Sequence, residues 1–467
     1  MLIEMLTRAN DAARALLWGP PLLALLVGTG LYFTLRTHVF QLRHCGLWLR
    51  KTLLSCFGGA GRRTGGAHAV SPFAAMCTAL AASAGTGNIA GVATALAIGG
   101  PGAIFWMWVS AFFGMMTAFA ENTLGMLYRE RGPDGAPRGG PMYYLKKGLH
   151  SPALAGAFAL FCVLASFGVG NMSQCNSIAG GLAGVFGVPP RVTALATAVL
   201  LALALLGGLR RITRVTEALV PCMALFYLGG ALAVLWCCRA NLPQACGQIV
   251  SAAFDWRAGA GGAAGYGMMQ AIRVGVSRGV FSNEAGLGSS VMVHTAADAA
   301  EPCEQGMWAV FEVFADTIVM CTLTALVILA SGVYQPLLYG LAAGTPLADR
   351  LLTGAQLTAA AFSAALGPAG GWFVAVSLAL FAFSTLLGWS YYGQRAAEYL
   401  FGPGAVPVYK ALFIAAAAAG CVMQLDLAWA LSDTFNALMA LPNLAGVIAL
   451  RGEVLAAWRR YRRANHI

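Results

Sequence analysis

Two short stretches carry residues able to bind an ion or a small carboxylate. The first is "SAGTGN", Ser83 to Asn88, set inside a run that is otherwise apolar from about residue 70 to 98. Backbone unwound there frees amides and carbonyls. Amides at a new helix N-terminus can hold a carboxylate, and freed carbonyls can hold Na+. Irregular backbone at membrane depth survives only where protein or a cavity satisfies it. Gly87 and Gly91 also fit small-xxx-small helix packing, but packing alone needs neither Thr86 nor Asn88.

The second stretch is "LALFAFSTLLGWSYYGQ", Leu378 to Gln394. Phe381, Ser384, Thr385, Gly388 and Trp389 recur at helical spacing and share one face. The adjacent hydroxyls of Ser384 and Thr385 offer hard oxygen ligands, although either can instead bond a carbonyl of its own helix; for Thr385 that is Phe381. A third polar stretch, "FGVGNMSQCNSIAGG" from Phe167 to Gly181, places Asn171 and Gln174 one turn apart, where both could face the core. Ionisable residues inside apolar runs are Glu121, Glu217, Arg273, Glu312 and Asp316. Glu312 and Asp316 could pair with Arg273 or Arg278 as a structural or gating contact, a reading favoured over a proton relay. The histidines, His38, His44, His68, His150, His294 and His466, fall outside the membrane core on this reading. That argues against a proton-carrying His and against a His-based intramembrane hydrolase.

The elements that must position these residues follow from composition. The chain has 467 residues, 59% of them hydrophobic and 10% charged. Soluble proteins average about 25% charged, so lipid must solvate most of this surface. Apolar runs fall at 16–35, 70–98, 100–128, 153–183, 190–209, 215–238, 262–282, 306–332, 369–394, 405–423 and 426–449. Each is long enough to span or nearly so. The first span is read as retained rather than as a cleaved leader. The net charge of +11 reflects basic loops, not nucleic-acid binding. Arg36, Arg43, Arg50, Lys51, Arg62 and Arg63 follow the first span, and Arg129, Arg131, Arg138, Lys146 and Lys147 follow the third. Arg210, Arg211 and Arg214 follow the fifth, and the tail carries Arg451, Arg459, Arg460, Arg462 and Arg463. The opposite loops are sparse, with Arg8, Arg14, Arg191, Arg239, Arg257 and Arg350. The bias predicts a cytoplasmic C-terminus and an outer N-terminus. The twelve cysteines lack metal-ligand spacing; Cys237, Cys238 and Cys246 leave room for a disulfide.

The chain reads as one transmembrane domain over 1–467. An extra N-terminal helix (16–35) precedes two five-span halves, 70–238 and 262–449, and a basic cytoplasmic tail, 450–467. An odd number of spans per half inverts one half relative to the other. Each half opens on a glycine-interrupted span. Gly85 and Gly87 mark the first, and Gly275 and Gly279 are expected to mark a matching break in the second and to line the substrate site.

Together these segments resemble the alanine/glycine:cation symporter family, the sodium:alanine symporters. The resemblance rests on "GTGNIAGVATALAIGGPGAIFWMW" (85–108), "GGPMYYL" (139–145), "GVFSNEAGLGSS" (279–290) and "FEVFADTIVMCTLTALVIL" (311–329). One departure is "SVMVHTAA" (290–297), where the family usually has a stretch like "APIAHAAA". The resemblance implies an all-α, leucine-transporter-like 5+5 inverted repeat with about eleven transmembrane helices. It implies symport of a small neutral amino acid, alanine or glycine, with Na+ as the co-transported ion, across a cell membrane. Thr86, Gly87 and Asn88 would meet the substrate carboxylate, Gln174 would contact it, and Thr385 and Trp389 would line the pocket. The carbonyls of Ala81, Ala84 and Phe381 and the hydroxyls of Ser384 and Thr385 would hold Na+. An H+-coupled or glutamine-preferring transporter is the alternative. A membrane-embedded enzyme lacks its nucleophile–His pair or metal cluster, a passive channel suits broken midplane helices poorly, and no protein partner is expected.

Overall fold

Proline marks where many of these helices begin. Its fixed φ and missing N–H suit the first helical turn, and it opens α2 (Pro20–Arg36), α3 (Pro72–Ser83), α6 (Pro141–Lys147), α7 (Pro152–Phe186), α8 (Pro190–Leu206), α12 (Pro302–Ala330) and α14 (Pro368–Phe401). The remaining long helices are α1 (Leu2–Leu17), α4 (Gly87–Gly99), α5 (Gly102–Leu127), α9 (Gly208–Cys237), α10 (Leu242–Ala253), α11 (Ala264–Asn283), α13 (Gly354–Leu366), α15 (Ala405–Val422), α16 (Asp426–Ala449) and α17 (Arg451–Ala464). The computed structural model describes residues 2–57, 70–132, 135–254, 264–335, 339, 351–423 and 426–466. Arg62, Arg63, His68, Arg257 and Arg350 lie outside them.

Every apolar run read from the sequence is helical over most of its described residues. Among the described residues, seven helices are individually long and apolar enough to cross a membrane, or up to nine if each bent pair counts as one span. α8 is shorter, and α11 has a mixed composition. The chain is therefore an all-α, multi-pass membrane protein. Several helical segments lie outside the apolar runs. α10 and α13 are half-exposed helices in what reads as loop, and the basic tail is the helix α17, bent 58° from the preceding span. Cys237, Cys238 and Cys246 are free thiols.

The core gathers around the long helices α5 and α7. α5 packs against α11 and α12, while α7 packs against α14 and α16. α3 lies between α9 and α14. The first interrupted helix is thereby held in the middle of the bundle, where Ala81, Ala84 and Asn88 are fully buried.

The expected break at Gly275 and Gly279 is corrected. α11 runs without interruption through both residues to Asn283. A methyl at Gly275 would lie 2.4 Å from the Ala103 carbonyl oxygen and one at Gly279 3.3 Å from the Ser110 side chain. These glycines let α11 close against α5, so they serve packing rather than unwinding. The second interruption lies further on, at 284–290.

Candidate functional site

The site begins where α3 ends. Its final residues run into Ala84, which has left the helical region with ψ 79°, and the chain restarts at Gly87 with a bend of 50°. The first turn of α4, Gly87–Gly91, is a π-helix, a local widening frequent at functional sites. Gly85 is where α14 closes on this break. A methyl there would stand 2.4 Å from Thr385 Oγ1 and 3.3 Å from Gln174 Oε1.

Four of the expected Na+ ligands converge. Ser384 Oγ lies 3.2 Å from the Ala81 carbonyl and 2.8 Å from that of Phe381. Thr385 Oγ1 lies 3.1 Å from each of the same two carbonyls. The own-helix bond to Phe381 therefore exists, but each hydroxyl is shared with a second helix. Ala84 sits buried at the end of α3. Gln174 reaches the break, its Oε1 accepting from the Thr86 amide at 3.4 Å. Asn171 does not; its amide donates to the Phe413 carbonyl at 2.7 Å and ties α7 to α15.

Asn88 turns the other way. Its Nδ2 donates to Asp316 Oδ1 at 2.7 Å and to the Asp316 carbonyl at 3.1 Å. Asp316 Oδ2 accepts from Ser282 at 2.7 Å and Thr317 at 3.0 Å. The expectation that Asp316 and Glu312 pair with Arg273 or Arg278 is thus corrected. Polar neighbours at hydrogen-bond distance satisfy Asp316. Glu312 Oε2 lies 2.9 Å from His294 Nε2, and His294 Nδ1 is 2.5 Å from the Gln305 amide. His294, read from the sequence as lying outside the membrane core, is 0% exposed and part of a buried network. The short helix Val291–His294 follows the second interruption and carries the ring into the bundle.

That interruption, "EAGLGSS", carries three left-handed residues, Glu284 (φ 57°), Gly286 (φ 92°) and Gly288 (φ 75°). Glycine is needed twice over at Gly288: beyond the backbone, a methyl would meet Asn443 Oδ1 and Pro141 at 2.6 Å. Two buried carboxylates strap the segment. Glu284 accepts from Ser289 and, at 2.8 Å, from the Trp389 indole N–H. Glu121 accepts from Asn443 and, at 3.4 Å, from the Gly286 amide. Trp389 therefore does not line the open cleft; its ring lies over Gly170 and its nitrogen serves the second break. Sequence reasoning missed Glu284, Asn443 and His294. The paired glycines of "NEAGLGSS" were the available signal for a break there.

A cleft of about 890 Å³ opens on one side of this region. Thr86, Arg278, Phe281 and Leu378 line it, with Ala90, Gly91 and Thr94 of α4 along one wall. At the start of α3, away from the residues that line the cleft, the backbone pairs with another segment. Val70 pairs with the segment after His294, its amide donating to Ala296 O at 3.1 Å and its carbonyl accepting from Asp298 N at 2.8 Å. Arg129 fastens the same segment through the Ala297 and Ala299 carbonyls at 2.8 and 3.0 Å.

A helical membrane fold in which interrupted helices meet beneath a one-sided cleft defines a secondary transporter. A solved structure of MhsT in complex with L-phenylalanine has a similar fold, with a TM-score of 0.54 at 14% identity over 82% of this chain and 89% of that one. The family model for the sodium:alanine symporter family matches residues 3–466. The sodium/alanine symporter AgcS of Methanococcus maripaludis is 44% identical over 97% of this chain and 96% of its own. A probable sodium/glutamine symporter, GlnT of Bacillus subtilis, is 37% identical over 98% of this chain and 91% of its own. The chain belongs to the sodium:alanine symporter family: it is a cation-coupled amino-acid symporter and not an enzyme.

Proposed function

We propose that the coupling ion is Na+ and that the cargo is a small neutral amino acid, alanine or glycine, taken up by alternating access. The observation that carries this reading is the four-oxygen cluster of Ala81, Phe381, Ser384 and Thr385 pressed against the Gly85 break. Rotating the two hydroxyl hydrogens away turns four mutually close oxygens toward one hard cation. Binding Na+ then joins α3 to α14 and fixes the position of Gly85, and with it the Thr86 amide beside Gln174. The substrate carboxylate meets the amides of Thr86, Gly87 and Asn88 at the start of α4, where the helix dipole favours an anion. The Asn88 side chain, held by Asp316, braces the first turn of α4 behind these amides. Losing Na+ loosens α3 from α14 and lets the cargo leave on the far side. The 5+5 division, with the N-terminus outside and the C-terminus cytoplasmic, completes this reading and makes the cleft outward-facing. The names of AgcS and of GlnT support Na+ as the ion and leave two substrates to compare.

The test is uptake of radiolabelled alanine into proteoliposomes under an imposed Na+ gradient, with unlabelled glycine and glutamine as competitors. Glycine should compete and choline replacement of Na+ should abolish uptake. Uptake that ignores choline replacement but follows a proton gradient would refute the sodium assignment, and stronger competition by glutamine would refute the substrate assignment.

A further inference from the structure

Away from the transport site, basic residues gather where the end of the first span meets the later turns of α17. α17 is amphipathic. Val454, Leu455, Ala457, Trp458 and Tyr461 are buried, while Arg451, Arg459, Arg460 and Arg463 are exposed. The buried face is fixed: the Trp458 ring packs edge-on against Phe40 at 4.8 Å and against Phe119 at 5.9 Å. Tyr461 reaches Glu304 Oε1 at 3.3 Å, and that same oxygen holds Lys51 at 2.7 Å. A helix bent 58° from the last span and divided in this way lies along an interface rather than through a membrane.

Between α17 and the end of α2 is a crevice of about 400 Å³, walled by Arg36, His38, Arg459 and Arg462 on a floor that includes Leu35 and Trp458. Arg459 and Arg462 also belong to an adjoining crevice with Arg463 and His466. The field here is positive enough to act on a neighbour. His44 is held below its ordinary pKa by burial and then by Arg462 and Arg43. Beside the crevice the outer surface becomes apolar, with Leu35 and Leu42 each 61% exposed.

We propose that this crevice binds the phosphate of an anionic lipid headgroup. Three guanidiniums around one pocket suit a phosphate diester, which arginine recognises through paired N–H donors. A basic pocket between membrane helices is the expected setting for such headgroups. A free phosphate would engage the arginines alone and leave the exposed leucines uncovered. A lipid fills both, its acyl chains lying along Leu35 and Leu42. The bound lipid bridges α2 to α17, two elements the sequence places at opposite ends of the chain.

Native mass spectrometry of the detergent-purified full chain, titrated with phosphatidylglycerol or phosphatidylcholine, tests this. Phosphatidylglycerol should bind tighter, and the preference should shrink as salt screens it. Each basic residue near an anionic surface is worth about fivefold in affinity. The triple variant R36Q/R459Q/R462Q should therefore lose on the order of 100-fold for phosphatidylglycerol while phosphatidylcholine binding is unchanged. The variant R191Q/R239Q, which removes arginines elsewhere, should bind like the wild type. If the triple variant fails to fold, Arg36→Gln alone should lose roughly fivefold. Equal binding of both lipids, an unaffected triple or single variant, or complete competition by millimolar inorganic phosphate would overturn the proposal.

Discussion

Adding one methyl group at Gly85 separates the proposed ion site from ordinary packing. In Gly85→Ala the new carbon would sit 2.4 Å from Thr385 Oγ1, well inside contact distance. Thr385 is β-branched and stiff at χ1. Any rotation that relieves the clash moves its hydroxyl off the Ala81 and Phe381 carbonyls, each now 3.1 Å away. Pushing α14 back instead opens the same contacts. Overpacking of this kind costs about 1–3 kcal/mol. If that cost falls on the Na+-bound arrangement, the Na+ half-saturation of alanine uptake rises by roughly 5- to 150-fold. Gly91→Ala is the matched control, because a methyl there meets nothing within 4 Å although Gly91 lines the same cleft. Proteoliposome uptake at a series of Na+ concentrations, normalised to inserted protein, reads the difference. A Gly85→Ala protein with wild-type Na+ half-saturation, or one shifted no more than Gly91→Ala, would refute the placement of the ion between α3 and α14.

Further outcomes follow from the same geometry. Thr385→Ala should raise the Na+ half-saturation at least about fivefold by removing one ligand, while Thr385→Ser, which keeps the oxygen, should stay near wild type in the same uptake assay. Gly275→Ala should lower the melting temperature in detergent, since its methyl would meet the Ala103 carbonyl at 2.4 Å at a cost of about 1–3 kcal/mol; the surviving protein should retain wild-type half-saturation for Na+ and alanine. His294→Ala removes the buried hydrogen-bond partner of Glu312 and should destabilise by about 1–3 kcal/mol. Adding Glu312→Gln should recover part of the lost melting temperature, and a double variant no more stable than His294→Ala alone would show that the pair is not what holds this region.

The sequence carries the helices and the first break plainly, because both depend on local chemistry. Long apolar runs have few alternatives in lipid, and Gly85-Thr86-Gly87-Asn88 has no reason to sit inside one unless the helix stops. Ser384 and Thr385 are legible from spacing on a single face. Gly275 and Gly279 mislead because a glycine that lets two helices touch and a glycine that lets one unwind look identical in one dimension. Only the position of α5 distinguishes them. Asp316 and Glu312 mislead similarly. The arginines of α11 seem natural partners, but Asn88 arrives from a distant segment and His294 from a stretch read as lying outside the spans. Asn443 is invisible beforehand: a lone asparagine late in an apolar run becomes, through Glu121, Gly286 and Tyr144, a junction of four segments.

The backbone pairing of Val70 with 296–298 has an energetic consequence for the unloaded carrier. If the proposed cycle opens this side by parting the segments, it breaks two hydrogen bonds, at 3.1 and 2.8 Å, and both contacts from Arg129. At about 1 kcal/mol net for each, the sum outweighs the roughly 2.7 kcal/mol that holds a minor conformer near 1%. On the proposed alternating-access cycle an empty molecule would therefore rest on the cleft side, as a spring-loaded turnstile does between passengers, and the driving gradient would be spent on loaded crossings.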